Sequence, residues 1–274
     1  MSTVQNEKAG RFRALHEAPG AFIIPNPWDI GSARLLAGLG FQALATSSAA
    51  SACTSGKKDG ELTRQEAIAH ARLIVDATAL PVSADLERGF GDAPEEVAET
   101  IRLAAEAGLV GCTIEDSTGN PAHPLYDLGL AVERIAAAAQ AARRLPFPFM
   151  LTARAHSFLY PAPNLDDTIQ RLQAFEQAGA DVLFAPGLPD LPSVREVCAA
   201  VSKPFNFMVG IKGKSFSVPE LIGAGVKRIS LATSLYRAAM TGLLDAAREV
   251  KDTGRFDFLE RSVTTQELIK VMGI

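Results

Sequence analysis

Short apolar runs alternate along this chain with longer amphipathic stretches, and the runs repeatedly begin just after a glycine. Ala107-Gly108 precedes Leu109 to Glu115, Ala178-Gly179 precedes Asp181 to Ala185, and Ala224-Gly225 precedes Val226 to Ala232. Each join reads as a helix stopped by glycine and followed at once by a buried strand. Strands are predicted to start near Ala21, Phe41, Pro81, Gly111, Pro148, Asp181, Pro204 and Lys227. The helices between them carry start signals. Asp29 caps a segment through Ala37, and Thr63 with Glu66, and Asp92 with Glu95, match the capping box. Roughly eight strand-helix units predict an α/β fold, the (β/α)8 TIM barrel. An open doubly wound sheet suits the chain poorly, because no early Gly-rich dinucleotide turn is present.

The segments outside this alternation are expected to have other uses. Residues 1–20 are polar at first, with a helix around Gly10 to Glu17, and read as a lid or lead-in. The linker from Thr46 to Leu62 is long for a compact domain, which favours a functional loop. After Val250 the barrel is complete, yet Phe256, Phe258 and Leu259 precede a further capped segment, Thr264 to Met272. The chain therefore reads as one domain over 1–274, with 251–274 as an oligomerisation tail.

Length and charge narrow the classes of function. A chain of 274 residues, 47% hydrophobic, can bury one large core. A formal net charge of -4 argues against a nucleic-acid partner. No uncharged apolar run approaches about 18 residues, so no membrane span is expected. Cys53, Cys112 and Cys198 lack paired spacing and no signal-peptide layout opens the chain, so a cytoplasmic protein is expected. Walker and Gly-x-Ser-x-Gly motifs are absent, and His16, His70, His123 and His156 show no ligand spacing.

Candidate chemistry gathers where strands stop. Asp85 and Glu87 close the run Leu80-Pro81-Val82-Ser83-Ala84, before Gly89 and Gly91. At i and i+2 of an extended chain they would share a face, and a hard divalent cation would relieve their repulsion. Glu115 closes another strand, with Asp116 as a cap or supporting group. Other strand ends supply Asn26 and Asp29, Thr46 to Ser48, Arg154, Asn206 and Lys212, and Ser234 and Arg237. The carboxylates suit a metal, Ser47 and Ser48 an anion, and Arg154 a bidentate carboxylate. Structural readings stand beside these. Asp85 could pair with Arg88 or Arg154, Glu87 could be a surface acid, Asp29 a cap, and Ser47 and Ser48 turn formers.

With Asn26-Pro27-Trp28-Asp29, Ser47-Ser48-Ala49, Ser83-Ala84-Asp85-Leu86-Glu87-Arg88-Gly89-Phe90-Gly91, Thr113-Ile114-Glu115-Asp116 and Thr152-Ala153-Arg154, the chain resembles the isocitrate lyase and phosphoenolpyruvate mutase superfamily over nearly its whole length. The resemblance implies a barrel whose last helix is swapped between subunits, commonly in a homotetramer. It implies magnesium, with manganese as an alternative, held mainly through Asp85, with Glu87 and Glu115 acting through water. Asp59 would stand near metal and substrate. Ser47, the following amides of Ser48 and Ala49, Arg154 and Asn206 would hold a small 2-oxo acid or its enolate.

The departures from the superfamily pattern bear on the reaction. Lyases of the superfamily carry a Lys-Lys-Cys-Gly-His type of loop after the Glu-Asp pair, whose cysteine is a general acid. Here Ser117-Thr118-Gly119-Asn120-Pro121-Ala122-His123 follows instead, and Phe184-Ala185-Pro186-Gly187 replaces the lyases' glutamate after the sixth strand. Oxaloacetate decarboxylation needs no strong general acid and fits best, with His123 or Tyr126 available to protonate the enolate. The expectation is a magnesium-dependent lyase acting on an oxaloacetate-like acid. Phosphonopyruvate-type P–C chemistry, cysteine-free isocitrate or methylisocitrate cleavage, a condensing hydroxymethyltransferase or aldolase, and a non-catalytic oxo-acid-binding protein are the alternatives.

Overall fold

The glycines that stop the helices do so by entering left-handed backbone. In the computed structural model, which describes residues 3–274, φ is +90° at Gly108, +103° at Gly179 and +94° at Gly225. Space is short there as well: an added Cβ would lie 2.8 Å from Val75 Cγ1, 3.0 Å from Ala139 Cβ and 2.9 Å from Cys198 Cβ respectively. Only glycine lets the chain turn so directly from helix into strand.

The strands are β1 (Phe22–Ile24), β2 (Leu44–Ala45), β3 (Val82–Asp85), β4 (Gly111–Glu115), β5 (Met150–Arg154), β6 (Val182–Phe184), β7 (Phe205–Met208) and β8 (Arg228–Ser230). All pairs are parallel, in the order β1-β8-β7-β6-β5-β4-β3-β2. The remaining seam, between β1 and β2, is bridged by the Ala45 amide donating to the Pro25 carbonyl at 3.1 Å. The sheet is thus a (β/α)8 TIM barrel. The second strand is shorter than the run from Phe41 predicted, because the Phe41 amide still bonds back to the Leu36 carbonyl and closes the preceding helix.

Around the sheet lie α1 (Thr3–Glu17), α2 (Ile30–Gly38), α3 (Ser48–Thr54), α4 (Arg64–Ala77), α5 (Pro94–Glu106), α6 (Leu128–Arg143), α7 (Leu165–Gln177), α8 (Leu191–Ala200), α9 (Val218–Gly223), α10 (Ser234–Thr253) and α11 (Thr265–Met272). Asp29 is the N-cap of α2, accepting from the Ser32 amide at 2.6 Å, and Thr63 with Glu66 forms the capping box of α4. The box predicted at Asp92 and Glu95 falls one residue later. Ala93 is the N-cap of α5, its amide donates to Glu96, and Asp92 instead accepts from the Tyr126 hydroxyl. Part of the Thr46–Leu62 linker folds as α3.

The N-terminal segment is a plug at the base of the barrel rather than a lid over the site. Phe12 of α1 is fully buried, with Cε1 3.0 Å from where a Gly111 Cβ would be, at the start of β4. His16 meets Phe12 and Phe22 edge-on at 4.7 and 4.9 Å and shares its Nδ1 with the Phe12 carbonyl at 2.8 Å.

The C-terminal tail packs in part on its own chain. Its last helix, α11, lies on α2 of its own chain, so closely that an added Cβ at Gly38 would strike the Val271 carbonyl. No residue of α10 is buried, and Leu243 and Leu244 are 60% and 50% exposed. The uncovered apolar surface therefore belongs chiefly to the eighth barrel helix and the turn after it, where Phe256 and Leu259 are also exposed.

Burial and the neighbouring Arg228 cation hold the His16 imidazole down at about 3, so it folds neutral. An unfolded histidine takes up its proton near pH 6.5. Stability from this group is complete above that value and declines as pH falls toward 3. Urea titrations should show His16 costing about 1.4 kcal/mol per pH unit over that interval, a slope that His16→Gln should remove.

Candidate active site

Strand register determines which side chains meet at the C-terminal mouth of the barrel. Asp85 is opposite Thr113, Glu115 opposite Arg154, Arg154 opposite Phe184, and Phe184 opposite Asn206. Arg154 Nη1 consequently lies 3.3 Å from Glu115 Oε2 and 3.6 Å from Asp85 Oδ2. Its guanidinium also stands over the Phe184 ring, 5.1 Å from the centroid. Asp85 is further fixed by Ser48 Oγ, which donates to Oδ2 at 3.2 Å, and its own amide donates to Thr46 Oγ1 at 3.1 Å.

Glu87 reaches the site by a different route from the one its spacing predicted. The strand ends at Asp85, and Glu87 adopts left-handed backbone at φ +50°. Its amide donates to Asp85 Oδ1 at 3.2 Å, and its carbonyl accepts from the Glu115 amide at 2.9 Å. A strained turn, not the pleat of a strand, places the second acid. The loop beyond it is held by Arg134 of α6, which is 1% exposed and donates to the carbonyls of Arg88, Gly91 and Asp92.

Two adjoining cavities share Ser48, Asp59, Arg154 and Leu159 in their walls. The smaller, about 290 Å³, reaches into the barrel and is lined by Ser47, Ala49, Asp85, Asn206, Arg228 and Ser230 among others. The larger, about 790 Å³, lies toward Glu87, Glu115, Ser117, His156 and Tyr160. Ser47 caps α3, accepting from the Ala50 amide at 3.4 Å; the first amides of that helix, on Ser48 and Ala49, have no intrahelical acceptor. Ser47 is thus a helix cap, and Ser47, Ser48 and Ala49 also line the smaller cavity.

Burial and crowding set the charges. Burial raises the Asp85 carboxyl, with Arg154 opposing and Glu115 and Asp59 adding to the rise. Glu87 is pushed up to about 8 by burial first, then by Asp85, Asp59 and Glu115. Glu115 feels the same burial, but Arg154 and His156 outweigh it and hold its carboxyl below the usual range. Asp116 stands apart as a supporting group: Oδ1 accepts from the His156 amide at 2.8 Å, and Oδ2 lies 3.3 Å from Arg171.

Not every predicted residue arrives. His123 is exposed and lines neither cavity; its loop closes on itself through the Ser117–Leu125 bridge and the Thr118 amide bond to the Pro124 carbonyl, and only Ser117 and Gly119 of it reach the larger cavity. Tyr126 spends its hydroxyl on Asp92, with its ring 4.2 Å below the Arg134 guanidinium. Lys212 is exposed, while Ser234 and Arg237 bond to the carbonyls of Leu231 and Gly210. His156, two residues after Arg154, and Tyr160 stand in the wall of the larger cavity instead. His156 Nδ1 stands 3.2 Å from Glu115 Oε2, and Tyr160 pairs with Ser117 at 2.8 Å. Arg228 also faces the smaller cavity; beside Lys227 in the same predicted strand, it carried no signal in the sequence to say which of the two cations points inward.

The donors fit a hard divalent cation. The acids are oxygen ligands with no thiol beside them, and Asp85 and Glu87 are raised in a way that a cation would reverse. Among the described residues no three His, Cys, Asp or Glu side chains stand close enough to hold one ion directly. Such an ion would keep several waters, as magnesium prefers, and Asp85, Glu87 and Glu115 are the carboxylates in the cavity walls that could hold it.

Known proteins share this arrangement of chain. A solved structure from Burkholderia cenocepacia J2315, provisionally assigned as a lyase/mutase, is 51% identical and superposes with a TM-score of 0.97, covering 100% of this chain and 98% of the other. The 2-methylisocitrate lyase of Escherichia coli K12 is 30% identical, covering 82% of this chain and 76% of that protein. An oxaloacetate decarboxylase of Ectopseudomonas mendocina is 28% identical over 89% and 84% of the two chains. The phosphoenolpyruvate phosphomutase family model matches residues 12–251, and the chain belongs to that family of lyases and mutases.

Proposed function

We propose that the protein is a magnesium-dependent lyase acting on a small 2-oxo acid by way of its enolate, with an oxaloacetate-like substrate undergoing decarboxylation or C–C cleavage. The observation that carries this reading is the meeting of Asp59, Asp85, Glu87 and Glu115 with the guanidinium of Arg154 around adjoining cavities. Arg154 offers a charge-assisted contact to a substrate carboxylate, and Ser48 and Ala49 offer amides. A bound divalent cation supplies positive charge against which charge on the substrate oxygens is stabilised.

The absence of a nearby thiol favours decarboxylation. Cys112 is fully buried in β4, and burial pushes its thiol far up; Cys53 and Cys198 line neither cavity. Carbon dioxide leaves unprotonated, so the first step asks no acid of the protein. Proton NMR with magnesium and oxaloacetate, isocitrate, 2-methylisocitrate or phosphonopyruvate is expected to show chelator-sensitive pyruvate from oxaloacetate, above the rate with metal alone. Glyoxylate from either isocitrate would redirect the reading to cleavage, and silence across the panel would favour a binding protein.

Asp85→Ala is expected to abolish metal-dependent binding of oxalate, an enolate mimic, in calorimetric titrations. Undiminished binding would remove Asp85 from the site.

The uncovered face of α10 supports self-association. A 20-residue helix with exposed Leu243 and Leu244 and no buried residue is suited to a second copy of the chain, in the manner of a swapped barrel helix. Light scattering after size exclusion should report an oligomer that Leu243→Glu with Leu244→Glu reduces to monomer; a monomeric parent protein would overturn this.

A further inference from the structure

Arg228 sits inside the barrel, only 4% exposed, below the mouth where the acids gather. Its Nε donates to Asn206 Oδ1 at 2.8 Å and its Nη2 to Thr152 Oγ1 at 3.0 Å, while Nη1 is 3.5 Å from His16 Nε2. All three partners are neutral. Asn206 and Thr152 carry no charge, and His16 folds unprotonated. Among the described residues no carboxylate forms an ion pair with this guanidinium, and burial alone depresses its basicity, to about 9.

A buried cation without an anion is costly to a fold. Neutral acceptors satisfy its hydrogen bonds but leave its charge uncompensated. The direction in which that charge acts is given by the cavity. Arg228, Asn206 and Ser230 all line the smaller cavity, and Asn206 is fixed from both sides, because its Nδ2 donates to Ser230 Oγ at 3.1 Å. The cavity thus carries Arg154 among acids at its mouth and Arg228, unopposed, at its floor.

We propose that Arg228 is a specificity-determining residue, which selects a compact substrate with two anionic groups and draws the second toward the barrel floor at Arg228, Asn206 and Ser230. The inference rests on the 2-oxo acid reading and deepens it. The 2-oxo carboxylate belongs at the mouth, and the anionic group on the far carbon belongs below.

Calorimetry with magnesium present tests this by comparing 3,3-difluorooxaloacetate, which has two carboxylates, with pyruvate, which has one. The parent protein should prefer the dianion. Arg228→Met should weaken dianion binding about 10- to 100-fold and leave pyruvate within about twofold. Equal weakening of both ligands would mark Arg228 as scaffold only, and no change in either would remove it from recognition; both overturn the assignment. Thr152→Asp sets a carboxylate against the guanidinium without altering the cavity wall, and should produce the same selective loss; an unchanged dianion affinity there would also overturn it. Failure of the parent protein to bind either ligand would overturn the 2-oxo acid reading and this inference together, whereas binding indifferent to Arg228 overturns the inference alone.

Discussion

Arg154 is the cation on which the mouth of this barrel depends. Register alone brings Glu115 beside it and Asp85 within reach, and both acids are taken largely out of water. Without that guanidinium the two carboxylates would face each other across a low-dielectric gap, where like charges repel far more strongly than at a surface. One charge does not balance them all. Burial keeps Glu87 and Asp85 raised, whereas Arg154 and His156 hold Glu115 below the usual carboxylate range despite its burial. Even with Arg88 close by and Arg228 deeper in the cavity, carboxylates crowd this mouth, and a divalent ion would relieve their repulsion.

The support for this arrangement comes from behind the strands. Arg134 gathers three carbonyls of the loop after β3, and Asp116 ties the chain after β5 through the His156 amide and Arg171. These contacts fix backbone, and the backbone fixes the acids. Leaving such buried carbonyls without a donor would cost about 1–3 kcal/mol each. The strained turn at Glu87 persists because its surroundings hold it on both sides.

Much of this was legible from residues alone, for physical reasons that differ by case. Glycines before strands announced the barrel because few other residues enter left-handed backbone, and Gly108, Gly179 and Gly225 do so. Thr63 with Glu66 announced α4 because the capping box is local chemistry. Asp92 misled because a hydroxyl distant in sequence, that of Tyr126, competed for its carboxylate. His123 misled because the direction of a loop depends on pairing between its ends, as Ser117 with Leu125, which periodicity does not encode. Arg228 was passed over because a strand shows which residues face inward only after the neighbouring strands are aligned.

The loop after β4, which carries no cysteine, bears on how the mouth of the barrel meets reactive small molecules. With no cysteine lining either cavity, and Cys112 sealed within its strand, no thiolate at the mouth can climb to sulfenic or sulfinic acid. A lyase that protonates through cysteine surrenders its activity to peroxide and to alkylating agents. A mouth without a thiol offers those reagents no nucleophilic sulfur, so a thiol-directed reagent would have to act on this barrel somewhere else.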